Sequence, residues 1–151
     1  MNIVIVSGGF DPLHAGHIQY INKARAVADA EGKKGKLIAI VNKDTFLRQK
    51  KGYVCLSEKD RATIISNIRD VDCTIIAMDE DMTVNKTLEY LAKLYANGAN
   101  QLYFCKGGDR NKKNIPEIAV CRRNGIRIID GLGDKIDSSS DLINRVIEET
   151  T

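Results

Sequence analysis

The sequence predicts a three-layer α/β/α domain built on a five-stranded parallel sheet. Three observations carry that expectation. Short β-branched apolar runs alternate with helical periodicity five times along the chain, which implies parallel strands joined by right-handed crossovers. No composition break, internal repeat or low-complexity linker divides the chain, so residues 1–151 read as one domain. The composition, 43% hydrophobic and 28% charged, is globular and holds enough apolar surface for one core.

Each element follows from local pattern. Ile3-Val4-Ile5-Val6 is an unbroken apolar run, as expected of a strand buried on both faces, and Ser7-Gly8-Gly9 ends it. Ile18, Ile21, Ala24 and Ala28 then recur at helical spacing, up to Gly32. The basic stretch 31–36 reads as a solvated turn. Residues 37–41 form the second strand, and Arg48, Lys50 and Lys51 fall in the loop after it. Ser57 is placed to cap a helix whose apolar face is Ile64, Ile65 and Ile68. Residues 73–77 are the third strand, and a helix over 83–97 is stopped by Gly98. Residues 102–105 are the fourth strand, broken by Gly107-Gly108, and Pro116 starts a short helix that ends at Asn124-Gly125. Residues 126–129 are the fifth strand, and 138–149 the closing helix. The whole is Rossmann-like. Open parallel sheets bind ligands beyond the carboxyl ends of their strands, so residues 7–17, 42–51, 106–110 and 130–140 converge on one rim.

Charge and cysteine usage exclude several functions. Lys+Arg 23 against Asp+Glu 20 leaves a net charge of +3. That surplus suits a pocket for one polyanion and is too small for a nucleic-acid coat. No apolar run reaches the ~18 residues needed to cross a bilayer, and the first residues lack the basic stretch of a secretory signal. The expectation is a cytoplasmic protein with neither membrane nor nucleic-acid partners. Cys55, Cys73, Cys105 and Cys121 include no Cys-x-x-Cys pair, and they read as small hydrophobes rather than a metal site.

Chemistry concentrates after the first strand. Glycines in Ser7-Gly8-Gly9-Phe10-Asp11 let backbone N–H groups approach an anion, and the next helix offers its positive end. His14 and His17, the only histidines, flank Gly16 at that helix start, so both rings can face one bound group. A lone histidine there would be an ordinary cap. A pair in a phosphate-type turn points to function.

The segment Gly9-Phe10-Asp11-Pro12-Leu13-His14-Ala15-Gly16-His17 resembles the His-x-Gly-His signature of the cytidylyltransferase-like nucleotidyltransferases. Ser57-Glu58-Lys59-Asp60-Arg61 is similar to the family segment whose arginine begins the helix after the second strand. Lys106-Gly107-Gly108-Asp109 resembles a run in heptose-1-phosphate adenylyltransferases, and Ser138-Ser139-Ser140 the terminal Ser/Thr cluster. The resemblance implies attack by an acceptor phosphate on the α-phosphorus of a nucleoside triphosphate, with loss of pyrophosphate. It implies catalytic roles for His14, His17 and a lysine among Lys50 and Lys51, with Arg48 a further candidate. It implies nucleotide binding by Ser7, Gly8, Gly9, Phe10, Asp11, Gly16, Arg61, Lys106, Gly107, Gly108, Asp109, Ser138, Ser139 and Ser140. Mg²⁺ would arrive on the phosphates rather than in a protein cage, and a homodimer is the family expectation.

Cytidylyl transfer is the leading expectation and adenylyl transfer to a sugar phosphate the alternative. The chain departs from small cytidylyltransferases at residues 131–137, where their Arg-Thr-Glu-Gly stretch is missing and Lys135 or Arg127 would have to substitute. Two other classes, a catalytically idle nucleotide-binding regulator and a flavodoxin-like carrier, leave the histidine pair without a role. The acidic turn Asp79-Glu80-Asp81, with Met82, is either an acceptor-reading loop or a solvated turn.

Overall fold

The computed structural model describes residues 1–107, 115–132 and 139–150. Alternation along the first strand, β1 (Asn2–Gly8), generates the layers. Ile3 and Ile5 join one apolar cluster with Ile38, Ile40, Leu88 and Phe104, while Val4 and Val6 join another with Ile21, Ala24, Leu37 and Ile65. All four β1 side chains are fully buried, so this strand must lie centrally with helices on both faces. The sheet order is β3-β2-β1-β4-β5, every pair parallel, with β2 Lys36–Val41, β3 Cys73–Ile76, β4 Gln101–Gly107 and β5 Arg127–Leu132. Strand order reverses between β1 and β4, and that switch point opens the crevice where α/β sheets bind ligands.

Helices α1 (Ala15–Ala28), α3 (Glu58–Ser66), α4 (Asn85–Leu94), α5 (Ile118–Arg123) and α6 (Ser139–Thr150) correspond to expected ones. One was not expected. Residues Asp44–Lys51 form α2, so Arg48, Lys50 and Lys51 lie on a helix and not in a loop. Its run of polar side chains hides the period, and Leu47 is its single buried residue. Gly52, at φ 85°, ends it in the left-handed conformation that favours glycine.

Other boundaries moved for local reasons. Ser57 caps α3 as expected, its Oγ accepting from the Asp60 N–H at 3.2 Å, but Ile64 is 39% exposed and, of the three isoleucines expected on its apolar face, Ile65 alone is buried. Helix α4 ends at Leu94 with Tyr95 as its cap, and Gly98 lies beyond the stop. The basic stretch is not merely a solvated turn. It includes a 3₁₀ turn at Ala30–Gly32, and Gly35 is buried where a Cβ would meet the Ala28 carbonyl oxygen at 2.1 Å.

Candidate active site

The turn from β1 to α1 is closed by its own histidines. His14 is the N-cap of α1, and its Nδ1 accepts from the Gly16 N–H at 3.0 Å. His17 Nδ1 accepts in return from the His14 N–H at 3.2 Å, a capping box made by histidines. Since both Nδ1 atoms accept, a neutral ring at either position carries its proton on Nε2. That is the donor a phosphate oxygen needs, displayed where the α1 dipole already favours an anion. The rings lie together, with centroids 4.0 Å apart. Burial, followed by the charges of His14 and Lys51, pulls His17 down to about 4, so it is neutral at physiological pH.

Phe10 supports the pair from below. Its backbone is at φ 52°, unusual for a non-glycine residue, and its buried ring meets His17 edge-on at 5.2 Å. A Cβ on Gly8 would meet that ring at 3.1 Å, so glycine gives the strand end room to turn over it. Phe10 is thus a buried prop under the site.

Asp11 and Arg61, both expected from the resemblance to bind nucleotide, face inward. Asp11 is 1% exposed, and its Oδ2 and Oδ1 accept from the N–H groups of Cys55 and Leu56 at 2.7 and 2.8 Å. Arg61 is fully buried. It donates to the carbonyls of Leu56, Gly9 and Asn42 at 2.8, 2.9 and 2.7 Å and pairs with Asp44 at 2.6 Å. A buried guanidinium needs such a ring of acceptors. These bonds tie the end of β1, the end of β2 and the start of α2 together, so Arg61 positions the site from behind.

Helix α2 sends adjacent lysines to different places. Lys51 Nζ donates to the Asp11 carbonyl at 2.7 Å and lies 4.9 Å from the Tyr53 ring centroid, bracing the histidine turn. Lys50 lines a cleft of about 330 Å³ at the carboxyl ends of β1, β2 and β4. Ser7, Asn42, Lys106 and Glu117 also line it, with Phe46 and Met82 as apolar wall. Lys106 Nζ donates to Ser7 Oγ at 3.3 Å across the β1/β4 switch point. Tyr20 ties the same point from α1, donating to the Cys105 carbonyl and accepting from the Ser7 N–H at 3.4 Å. Gly107 must be small, because a Cβ there would meet the Leu132 carbonyl oxygen at 2.8 Å.

Of the acidic turn, Asp79 is structural. Buried, it accepts from the N–H groups of Lys86 and Thr87 at 2.7 and 3.1 Å and so caps α4. Glu80 pairs with Lys43, and Met82 alone reaches the cleft. Asn42 and Phe46 fall in the rim stretch 42–51 expected from sequence although neither was singled out, while Thr83 and Glu117 were missed as lining residues. No motif marks them, and only the last has a readable signal, an acid beside Pro116 at a helix start. Gly108, Asp109, Lys135 and Ser138 lie outside the described residues. Ser139 and Ser140 open α6, and their side chains lie outside them as well. No helix among the described residues is long and apolar enough to cross a membrane.

Comparison with known proteins gives the family. The chain is 30% identical over 153 aligned positions to the bifunctional protein HldE of Pelobacter propionicus, covering 97% of this chain and 27% of that protein. It is 29% identical to an FAD synthase of Pyrococcus horikoshii, covering 74% of this chain and 72% of that one. The chain therefore spans only about a quarter of the bifunctional relative. A lipopolysaccharide core biosynthesis protein from Thermoplasma volcanium shares the fold, with a TM-score of 0.66, 22% identity and 88% of this chain covered. The cytidylyltransferase-like family model matches residues 5–145, from the middle of β1 into α6 and across the histidine turn. With that span and that turn, the chain belongs to the cytidylyltransferase-like family.

Proposed function

We propose that the protein transfers a nucleotidyl group from a nucleoside triphosphate to a small phosphomonoester and releases pyrophosphate. The observation that carries this reading is the histidine pair, capped through Nδ1 at the start of α1, at the same carboxyl end of the sheet as a cleft lined by Lys50 and Lys106. The acceptor phosphate is a nucleophile at neutral pH. One of its oxygens bonds to the α-phosphorus while the bond to the bridging oxygen of pyrophosphate breaks, and no strong base is required. Catalysis then consists of holding two anions in line and stabilising charge that grows on the α- and β-phosphate oxygens. His14 and His17 supply Nε2–H donors for that charge, and the N–H groups of the turn add the field of the helix end.

Lys50, on the cleft side of α2, neutralises the acceptor phosphate, and Lys106 at the switch point faces the region between the two substrates. Lys51 keeps the turn in place. Mg²⁺ enters this reading as an ion carried by phosphate oxygens, which fits a rim of lysines, serines and backbone amides. In this proposal ATP takes precedence over the CTP expected from sequence, because FAD synthases stand among the relatives and the product in that name contains an adenylyl unit. The test is pyrophosphate release from ATP, CTP, GTP and UTP with Mg²⁺ against a panel of phosphomonoesters. Nucleotide-dependent release with at least one acceptor is expected. A site that neither binds nor turns over any of the four nucleotides would overturn the proposal.

A further inference from the structure

The rotation of α2 about its own axis decides where its two adjacent lysines go. Phe46 and Lys50, four residues apart, share the face that lines the cleft, and Lys50 Nζ lies 5.7 Å from the Phe46 ring centroid. Leu47 and Lys51 share the face turned to the histidine turn. There Lys51 donates to the Asp11 carbonyl, and a Cβ on Gly9 would meet Leu47 Cδ2 at 2.7 Å. Successive helical residues are about 100° apart, so a rotation by one position would exchange the two lysines. The helix does not fix this rotation alone. It has eight residues, one buried side chain and a lysine, Lys43, at its N-cap with no side-chain cap bond. So short a helix depends on contacts from outside. Its start is gripped at Asp44 from α3, where Glu58 Oε1 accepts from the Asp44 N–H at 2.8 Å and Arg61 donates to Asp44 Oδ1. Glu58 is itself the first residue of α3, so one carboxylate stands at the positive ends of two helices.

We propose that Glu58 is a positioning residue for nucleotidyl transfer, capping α2 from α3 and so holding Lys50 on the cleft. The inference rests on the nucleotidyl-transfer reading above and adds to it a residue that touches neither substrate. Arg61 grips only the side chain of Asp44, which can turn about its own bonds. Glu58 grips the backbone N–H, and that bond fixes the helix itself. Lys50 lies six residues further on, about 9 Å along the axis. A tilt of roughly 10° at Asp44 therefore carries Lys50 by about 1.5 Å, a displacement on the scale at which a positioned group loses its effect. Lys50 then depends on a carboxylate outside the cleft wall, through the helix that carries it.

The experiment is a double-mutant cycle between Glu58→Ala and Lys50→Met, with Glu58→Gln as the conservative variant. Pyrophosphate release with the phosphomonoester that wild type turns over gives KM and kcat, calorimetry gives nucleotide Kd, and hydrogen exchange follows the Asp44 amide. Glu58→Ala is expected to raise the acceptor KM about 3–10-fold while kcat and nucleotide Kd change less than about 2-fold. Exchange at Asp44 should quicken about 5-fold, the scale of a lost helix cap. Glutamine keeps an acceptor oxygen for the same N–H, so Glu58→Gln should stay within about 2-fold of the wild-type KM. In the Lys50→Met background Glu58→Ala should add less than about 2-fold, because the residue acts through Lys50. If Glu58→Ala is unfolded at the assay temperature, Glu58→Asp, which withdraws the carboxylate by one methylene, takes its place in the cycle. Independent KM losses in the cycle, a wild-type KM in the folded variant, or unchanged Asp44 exchange overturns this inference and leaves nucleotidyl transfer standing. A wild type that binds none of the four nucleotides removes that reading, and this inference with it.

Discussion

Replacing His17 separates the capping task that the structure shows from the chemical task proposed for the same ring. Its Nδ1 caps the turn by accepting from the His14 N–H, and its Nε2–H is the donor proposed for the α-phosphate. Alanine removes both. Glutamine removes the imidazole but is the residue type that completes an ordinary capping box from this position, so it keeps the acceptor for the His14 amide. Losing the cap bond and the edge contact with Phe10 should cost His17→Ala about 1–2 kcal/mol, or roughly 2–8 °C in Tm for a chain of this size. His17→Gln should stay within about 0.5 kcal/mol of wild type, inside the ordinary range for a substitution that keeps its hydrogen bond. Turnover should not follow stability. Both variants should lose on the order of 10²–10³ in kcat, the scale of one preorganised donor to developing charge, with a much smaller change in nucleotide Kd. Melting curves, calorimetric nucleotide titrations and pyrophosphate-release kinetics on all three proteins measure the separate effects. A His17→Gln protein with wild-type kcat, or kinetic losses that track Tm across both variants, would refute the assignment of chemistry to Nε2.

Five further outcomes are expected. Lys50→Met should raise the acceptor KM about 10-fold or more with little effect on melting. Lys51→Met should instead raise the His17 pKa, read from its ring proton shifts by NMR, because it removes one of the charges that hold it low; identical phenotypes for the two would contradict their division by α2. Arg61→Lys keeps the charge but breaks the guanidinium fork, and should lower stability by about 2 kcal/mol while nucleotide Kd in the folded protein changes less than about 3-fold. Folded-state His17 at about 4 lies below its ordinary 6.5, so the unfolded chain binds more protons between those values. This contribution is constant above about pH 7, and stability should fall as pH drops from about 6.5 towards 4, a slope that His17→Gln should reduce in pH-dependent denaturant titrations. Saturating ATP with Mg²⁺ should raise Tm in proportion to the logarithm of ligand concentration, and an unchanged Tm with both ATP and CTP would count against a triphosphate site.

The sequence by itself determined the fold class and singled out the turn to which the chemistry is assigned in our proposal. Apolar runs such as Ile3-Val4-Ile5-Val6 and Leu37-Ile38-Ala39-Ile40-Val41 state their burial on both faces through side-chain type alone, and parallel strands with crossovers follow. The paired histidines were legible because their roles are local, with cap partners two and three residues away. Helix α2 was not legible, since eight mostly polar residues with one buried side chain leave no period to see. Tertiary structure decided the rest, because the deciding contacts join residues far apart in the chain. Asp11 meets the amides of Cys55 and Leu56, 44 and 45 positions away, and Arg61 reaches Gly9 across 52. Motif spacing cannot tell a carboxylate or guanidinium that binds ligand from one that binds backbone, since both use the same atoms. Only the strand order, which sets β2 and β4 on either side of β1, turns Asp11 and Arg61 into interior ties and gathers Ser7, Lys50, Lys106 and Glu117 around one cleft.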